Sequence, residues 1–283
     1  MSEPDWDVVV VGAGIAGLTA ARVCAEQGLR VVAHDMLAPG GRLINLGAVQ
    51  GWPGSAPQGP EFAGALLEEV MTAGVEIAYG EVTGLTPGRP VGVETAEGPV
   101  STRAVVVATG RAPDEGGLPD APDWAGRGLS ECAACDGPLY AGKKVVVLGG
   151  DEWSAAEALE LAEVAAHVTV VAPSVSWSAA AERRVAGSPT IEVRRGATAT
   201  RLEGPSTLAA VHLDDGSTVE AAGVFLAGAT RPRRALLDAA GGEPHVIAAG
   251  DVASSDDPPT LLAAAADGHR AGLAVVTLLL SED

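Results

Sequence analysis

The feature that most constrains this chain is a short apolar run, Asp7 to Val11, that passes directly into Gly12-x-Gly14-x-x-Gly17. Consecutive valines suit a strand buried on both faces, as in a parallel sheet. The apolar-periodic segment up to about Gly28 reads as a helix, and Leu29 to Ala33, ending at Asp35, as the next strand. A strand–helix–strand unit of about 30 residues with this fingerprint at its first turn points to a doubly wound α/β fold that binds a dinucleotide. Gly12 permits the tight turn, Gly14 lets the backbone approach a pyrophosphate, and Gly17 allows helix and strand to pack closely. The pyrophosphate then rests on free N–H groups at the helix start. Asp35, 18 residues after Gly17, falls where a ribose hydroxyl is held.

The rest of the chain repeats the pattern. Ala104 to Ala108 is another buried strand, closed by Thr109-Gly110, and the composition then shifts to Pro, Gly and Asp between Arg111 and Gly128. A second unit follows: a strand at 144–148, Gly149-Gly150, a helix to about Ala166 and a strand at 168–171, with further strand-like pieces at 191–195, 207–213 and 219–227. His245 to Ala249 and Gly250-Asp251 precede an Ala/Leu-rich helix from about Pro259 to Leu280. The expected architecture is α/β, with two Rossmann-like nucleotide-binding domains, the second inserted into the first. The boundaries are 1–112 and 233–283 for the first domain and 113–232 for the inserted one. An acid at Asp251 suits the ribityl–phosphate region of FAD, and the following helix start aims amides at the flavin, so FAD is the expected dinucleotide.

The 283 residues carry 18 basic and 37 acidic side chains, a formal charge of −19. That charge repels phosphate backbones and anionic bilayers, so neither nucleic acid nor membrane is an expected partner. No uninterrupted run of 18 apolar residues occurs, and the N-terminus lacks the basic start of a signal peptide. A cytoplasmic location is the expectation.

Three cysteines cannot form a disulfide framework, and in a reducing compartment the close pair Cys132-Ala133-Ala134-Cys135 is catalytic or metal-binding. Zinc needs four ligands, and there is no second CxxC and no closely spaced His pair, so no metal is expected. Asp136 is placed to serve as general acid or base for the thiols, or to form an Asp-Gly turn. Cys24, among apolar residues of the first helix, reads as a buried small hydrophobe.

These motifs, VVVVGAGIAGLTAA, APGGRL, GWPG, VVVATG, CAACDG and HVIAAGDV, resemble the low-molecular-weight thioredoxin reductases over nearly the whole chain. The resemblance implies an FAD-dependent disulfide oxidoreductase working as a homodimer. It implies that Cys135 faces the flavin, that Cys132 is the interchange thiol and that Asp136 is the acid/base. It places Gly12, Gly14, Ile15, Ala16, Gly17, Asp35, Gly40, Gly41, Arg42, Leu43, Ala108, Thr109, Gly110, Gly250, Asp251, Thr260 and Leu261 around FAD.

The second unit departs from that family. Where those reductases carry a GGGDSA turn for the NADPH pyrophosphate, this chain has Gly149-Gly150-Asp151-Glu152-Trp153-Ser154. Two acids facing a pyrophosphate are electrostatically wrong. The family's His-Arg-Arg cluster for the 2′-phosphate is replaced by Ala172-Pro173-Ser174, with no base before Arg183-Arg184. Gly51 and Pro258-Pro259-Thr260 are milder departures near the flavin. A flavin–dithiol machine without a pyridine-nucleotide site resembles the dithiol oxidases of the same superfamily. The leading expectation is therefore oxidation of a small-molecule dithiol, or of a thioredoxin-like protein, with O2 as acceptor. The alternatives are a thioredoxin reductase fed by ferredoxin or NADPH, and a flavin redox sensor without turnover.

Overall fold

The computed structural model describes residues 3–46, 49, 52–53, 57–113, 118–228, 230–253 and 260–282. The departures at Gly51 and at Pro258-Pro259 lie outside them. The chain divides into two compact units, Met1–Arg111 with Pro232–Asp283, and Ala112–Arg231.

The first unit opens with β1 (Trp6–Val11), α1 (Ile15–Ala25) and β2 (Val31–Asp35), followed by α2 (Gly59–Thr72). Four strands come next: β3 (Glu76–Tyr79), β4 (Val82–Thr86), β5 (Val91–Thr95) and β6 (Gly98–Val107). β1 lies between β2 and β6, parallel to both, with Val8 to Val11 paired to Val31 to His34 and to Ala104 to Val107. Val8, Val9, Val10 and Val105 to Val107 are wholly buried. This is the burial on both faces that an unbroken valine run requires.

After β7 (Arg111–Pro113) the chain builds the second unit from β8 (Leu129–Ser130), α3 (Ala133–Asp136), β9 (Lys144–Leu148), α4 (Glu152–Leu161), β10 (His167–Ala172), α5 (Ala179–Ala186) and β11 (Ile191–Arg195). It continues through β12 (Ala199–Glu203), β13 (Ala210–Leu213), β14 (Thr218–Glu220), β15 (Gly223–Leu226) and β16 (Thr230–Pro232). A parallel sheet in the order β11-β10-β9-β15-β8 forms its centre, and β12-β13-β14 is a separate antiparallel sheet.

The chain then completes the first unit with α6 (Ala235–Ala240), β17 (Val246–Ala248) and α7 (Leu261–Leu280). β6 gives its first half to β5, antiparallel, and its last three residues to β17, parallel. α7 is long and apolar enough to cross a membrane by length and composition. Here it packs on α1 through small residues: a Cβ on Gly268 would lie 2.1 Å from the Ala16 carbonyl, and one on Gly272 would lie 2.7 Å from Val23 Cβ.

Candidate functional site

The dinucleotide seat is built from backbone. Gly12 has φ +99°, and a Cβ there would stand 2.4 Å from the Ala108 carbonyl oxygen; at Gly17 it would stand 1.9 Å from the Gly12 carbonyl oxygen. Neither position admits a side chain, which holds β1, α1 and the end of β6 together. Gly14 differs: it is the N-cap of α1, no side chain caps that helix, and an added Cβ would meet only Gly41 Cα, at 3.9 Å. Among the described residues no side chain caps the first turn of α1, which leaves its N–H groups for a bound pyrophosphate.

The neighbouring loops converge on this turn. Gly40 N–H donates to the Ala13 carbonyl at 2.7 Å, and Gly41 begins a 3-10 turn that carries Arg42 and the fully buried Leu43. Asp35 accepts Ala13 N–H on Oδ2 at 2.9 Å and the N–H groups of Leu37 and Ala38 on Oδ1 at 3.0 and 3.1 Å. Its carboxylate therefore ties the glycine turn to the loop after β2. Gly250 sits against Ala16, beside Ile15 at the start of α1. Burial pushes the Asp251 carboxyl up from its ordinary range, and nearby Arg42 and Arg111 oppose the shift. The residues from β6 and from the start of α7 are used on the backbone: Thr109 Oγ1 donates to the Arg233 carbonyl at 2.8 Å, next to Gly110, and Thr260 Oγ1 accepts Ala263 N–H at 3.1 Å, capping α7 just before Leu261. An open glycine cradle, an uncapped helix start and the buried Asp251 carboxyl near Arg42 and Arg111 fit FAD, whose bound isoalloxazine supplies a two-electron store.

In the second unit Cys132 and Cys135 are joined in a disulfide with a Cα–Cα distance of 5.4 Å. Cys132 is buried at 6% exposure whereas Cys135 is exposed. Cys132 is the N-cap of α3, and its Sγ accepts Cys135 N–H at 3.0 Å. Two further side chains grip this turn. The Ser130 hydroxyl donates to Asp136 Oδ2 at 2.7 Å and accepts Cys132 N–H at 3.1 Å. Glu157, on α4 and only 2% exposed, accepts Ala133 N–H at 2.6 Å. Neither residue is marked by sequence spacing. Ser130 lies two residues before Cys132, and Glu157 sits within an ordinary helical run. Burial, and secondarily the Asp136 charge, raises the Tyr140 hydroxyl above its usual range.

The glycine turn of the second unit contrasts with that of the first. Asp151 is the N-cap of α4, its Oδ1 accepting Ser154 N–H at 3.0 Å. The loop after β10 is stitched onto this turn. Ser176 N–H donates to the Gly150 carbonyl at 2.7 Å, and Trp177 Nε1–H donates to Ser154 Oγ at 3.2 Å. Ser178 gives its N–H and its hydroxyl to the Glu152 carboxylate at 2.7 and 2.8 Å. A Cβ on Gly150 would stand 1.9 Å from the Ser174 carbonyl oxygen. Arg183 and Arg184 lie exposed on α5. The Asp151 carboxylate occupies the Ser154 N–H, and the loop after β10 is bonded onto the turn, so a pyrophosphate brought to it would meet two acids and one N–H already taken.

Comparison with known proteins identifies the family. Residues 6–268 match the family model described as pyridine nucleotide-disulphide oxidoreductase. A thioredoxin reductase of Treponema pallidum is 33% identical over 223 residues, covering 77% of this chain and 73% of that protein. One of Bacillus subtilis is 34% identical over 171 residues, covering 60% and 54%. The crystal structure of Lactococcus lactis thioredoxin reductase matches with a TM-score of 0.88 at 25% identity, over 98% of this chain and 100% of that one. With its flavin seat and its cysteine pair both in place, the chain belongs to the pyridine nucleotide-disulphide oxidoreductase family, as an FAD-dependent disulfide oxidoreductase of the thioredoxin reductase kind.

Proposed function

We propose that this protein moves electron pairs between FAD and a thioredoxin-like protein through the Cys132–Cys135 disulfide, acting as a cytoplasmic homodimer. The observation that carries the reading is the paired cysteine turn itself, with Cys135 exposed and Asp136 held next to it. The relatives named thioredoxin reductases support the same partner. In exchange, a partner thiolate attacks one sulfur of the pair and the other leaves as thiolate; a second partner thiolate then releases the mixed disulfide. The reverse sequence delivers two electrons to an oxidised partner. Asp136 is the group placed to give or take the proton.

The stitched α4 turn favours a second reading, in which the pair oxidises a dithiol and O2 is the final acceptor. A reduced acidic protein such as ferredoxin is a poor donor for a chain of charge −19.

The test is anaerobic mixing of the yellow holoprotein with NADPH, NADH or a small dithiol in separate cuvettes. It is followed by mixing of dithionite-reduced protein with an oxidised thioredoxin. Return of the flavin colour on oxidised thioredoxin supports the reductase reading. Bleaching by dithiol and recovery only on admission of air supports the oxidase. Rapid bleaching by NADPH overturns the second reading and makes NADPH the donor of the first.

A further inference from the structure

We infer that Ser130 is a positioning residue for the disulfide chemistry, holding Asp136 at the cysteine pair; the inference rests on the exchange reading above. Ser130 is 4% exposed and ends the two-residue strand β8, where it pairs with Phe225 of β15. Its backbone is therefore fixed by the parallel sheet, whereas Asp136 belongs to a single helical turn. The hydroxyl lies 2.7 Å from Asp136 Oδ2 and 3.3 Å from the Cys132 carbonyl. One proton serves one acceptor, and the shorter contact, to a carboxylate, is the stronger. The oxygen of the same hydroxyl accepts the buried Cys132 N–H. Ser130 thus touches both the backbone of the buried cysteine and the carboxylate of the acid/base.

This placement matters when the disulfide opens. An external thiolate forms a bond to one cysteine sulfur, the Cys132–Cys135 bond breaks, and the departing sulfur takes up a proton. The second thiolate of the external dithiol then displaces the other cysteine, which is also protonated. Two electrons and two protons pass from the dithiol to the pair. The hydroxyl of Ser130 holds the Asp136 carboxylate beside the turn that carries both sulfurs, and without it only the single turn of α3 holds that carboxylate in place. Without the hydroxyl, Cys132 N–H is also left buried without this acceptor.

The experiment is stopped-flow bleaching of the holoprotein flavin by dithiothreitol without oxygen, from mildly acidic to mildly alkaline pH. The proteins are wild type, S130A, S130T, S130C, D136N and S130A/D136N. S130A should slow bleaching by about 10- to 150-fold, the range for one hydrogen bond to a charged group, and should change the shape of the pH profile. S130T, which keeps the hydroxyl, should retain the wild-type shape; S130C, which fills the same space, should behave as S130A. The double variant should be no slower than D136N, because both changes remove one function. A pH profile for S130A or S130C that is only scaled, or effects of S130A and D136N that multiply, would overturn the role. Failure of dithiothreitol to bleach the wild type, or bleaching of added C132S and C135S variants as fast as the wild type, would instead overturn the exchange reading itself, and Ser130's role with it.

Discussion

Asp151 offers the sharpest quantitative test of the closed turn in the second unit. Its Oδ1 caps Ser154 N–H at 3.0 Å, at the helix start that in a dinucleotide fold receives a pyrophosphate. Losing such a cap to Ala costs about 0.5–2 kcal/mol, and to Gly only a few tenths of that unit. In a protein of this size about 1 kcal/mol lowers Tm by about 2–4 °C. D151A should therefore melt a few degrees early, while D151G should melt close to wild type. Nucleotide affinity should move the other way. A carboxylate about 5 Å from one phosphate charge costs about 1–3 kcal/mol across effective dielectric values of about 80 to 20. Converted, D151G should bind NADPH about 5- to 150-fold more tightly than wild type, yet still weakly, since Ser176 and Trp177 continue to cover the turn. Thermal unfolding followed by flavin fluorescence gives the first quantity, and titration with NADPH in rising salt gives the second. The reasoning is refuted by a D151A variant more stable than wild type. It is equally refuted by wild-type protein whose flavin NADPH bleaches as fast as dithiothreitol does.

Three further outcomes follow from the same geometry. Burial pushes the Cys24 thiol up to about 12, so iodoacetamide should label the exposed Cys135 in reduced native protein and reach Cys24 only after unfolding, as peptide mapping would show. E157A leaves Ala133 N–H without its buried acceptor and should cost about 1–3 kcal/mol in denaturant unfolding, with E157Q milder because its amide oxygen can still accept. Asp251 has a raised carboxyl pKa in the folded protein. Its ionisation therefore destabilises the apoprotein, with no penalty below the ordinary value of 3.8 and a growing one as pH rises through the raised pKa. D251N should accordingly raise the Tm of apoprotein at neutral pH but not at the acid end, while weakening FAD retention on a desalting column.

The two strand–helix–strand units were legible because a parallel strand buried on both faces leaves a nearly pure apolar run, as at 7–11, 104–108 and 144–148. The stretch 76–95 hid β3, β4 and β5, since Gly and Pro interrupt it and those strands depend on partners elsewhere in the chain. The apolar region 219–227 is two strands, β14 and β15, in different sheets. The helix expected to run to Ala166 ends at Leu161, and the last helix starts at Leu261 with Thr260 as its cap. Around the sites, the glycine roles could be read from their order along the chain. The charge of Asp151 and Glu152 was equally plain, but not that both acids already bond to backbone N–H groups. Ser130 and Glu157 were invisible because only the folded second unit brings Glu157 to Ala133, 24 positions away.

The split of the first unit sets a clock on the ribosome. β6 emerges long before β17, which pairs with its last three residues, and α1 long before α7, which packs on it. At about 5–20 residues per second, roughly 10–30 s pass between synthesis of Val107 and of Leu280. During that wait Val105 to Val107 present an unpaired edge, and the small-residue face of α1 stands open to other nascent chains. Meanwhile the second unit, contiguous from Ala112 to Arg231, can finish and close its own disulfide turn. Flavin capture is thereby deferred to the end of translation, so a stalled or truncated product carries a complete thiol module with no electron store to drive it.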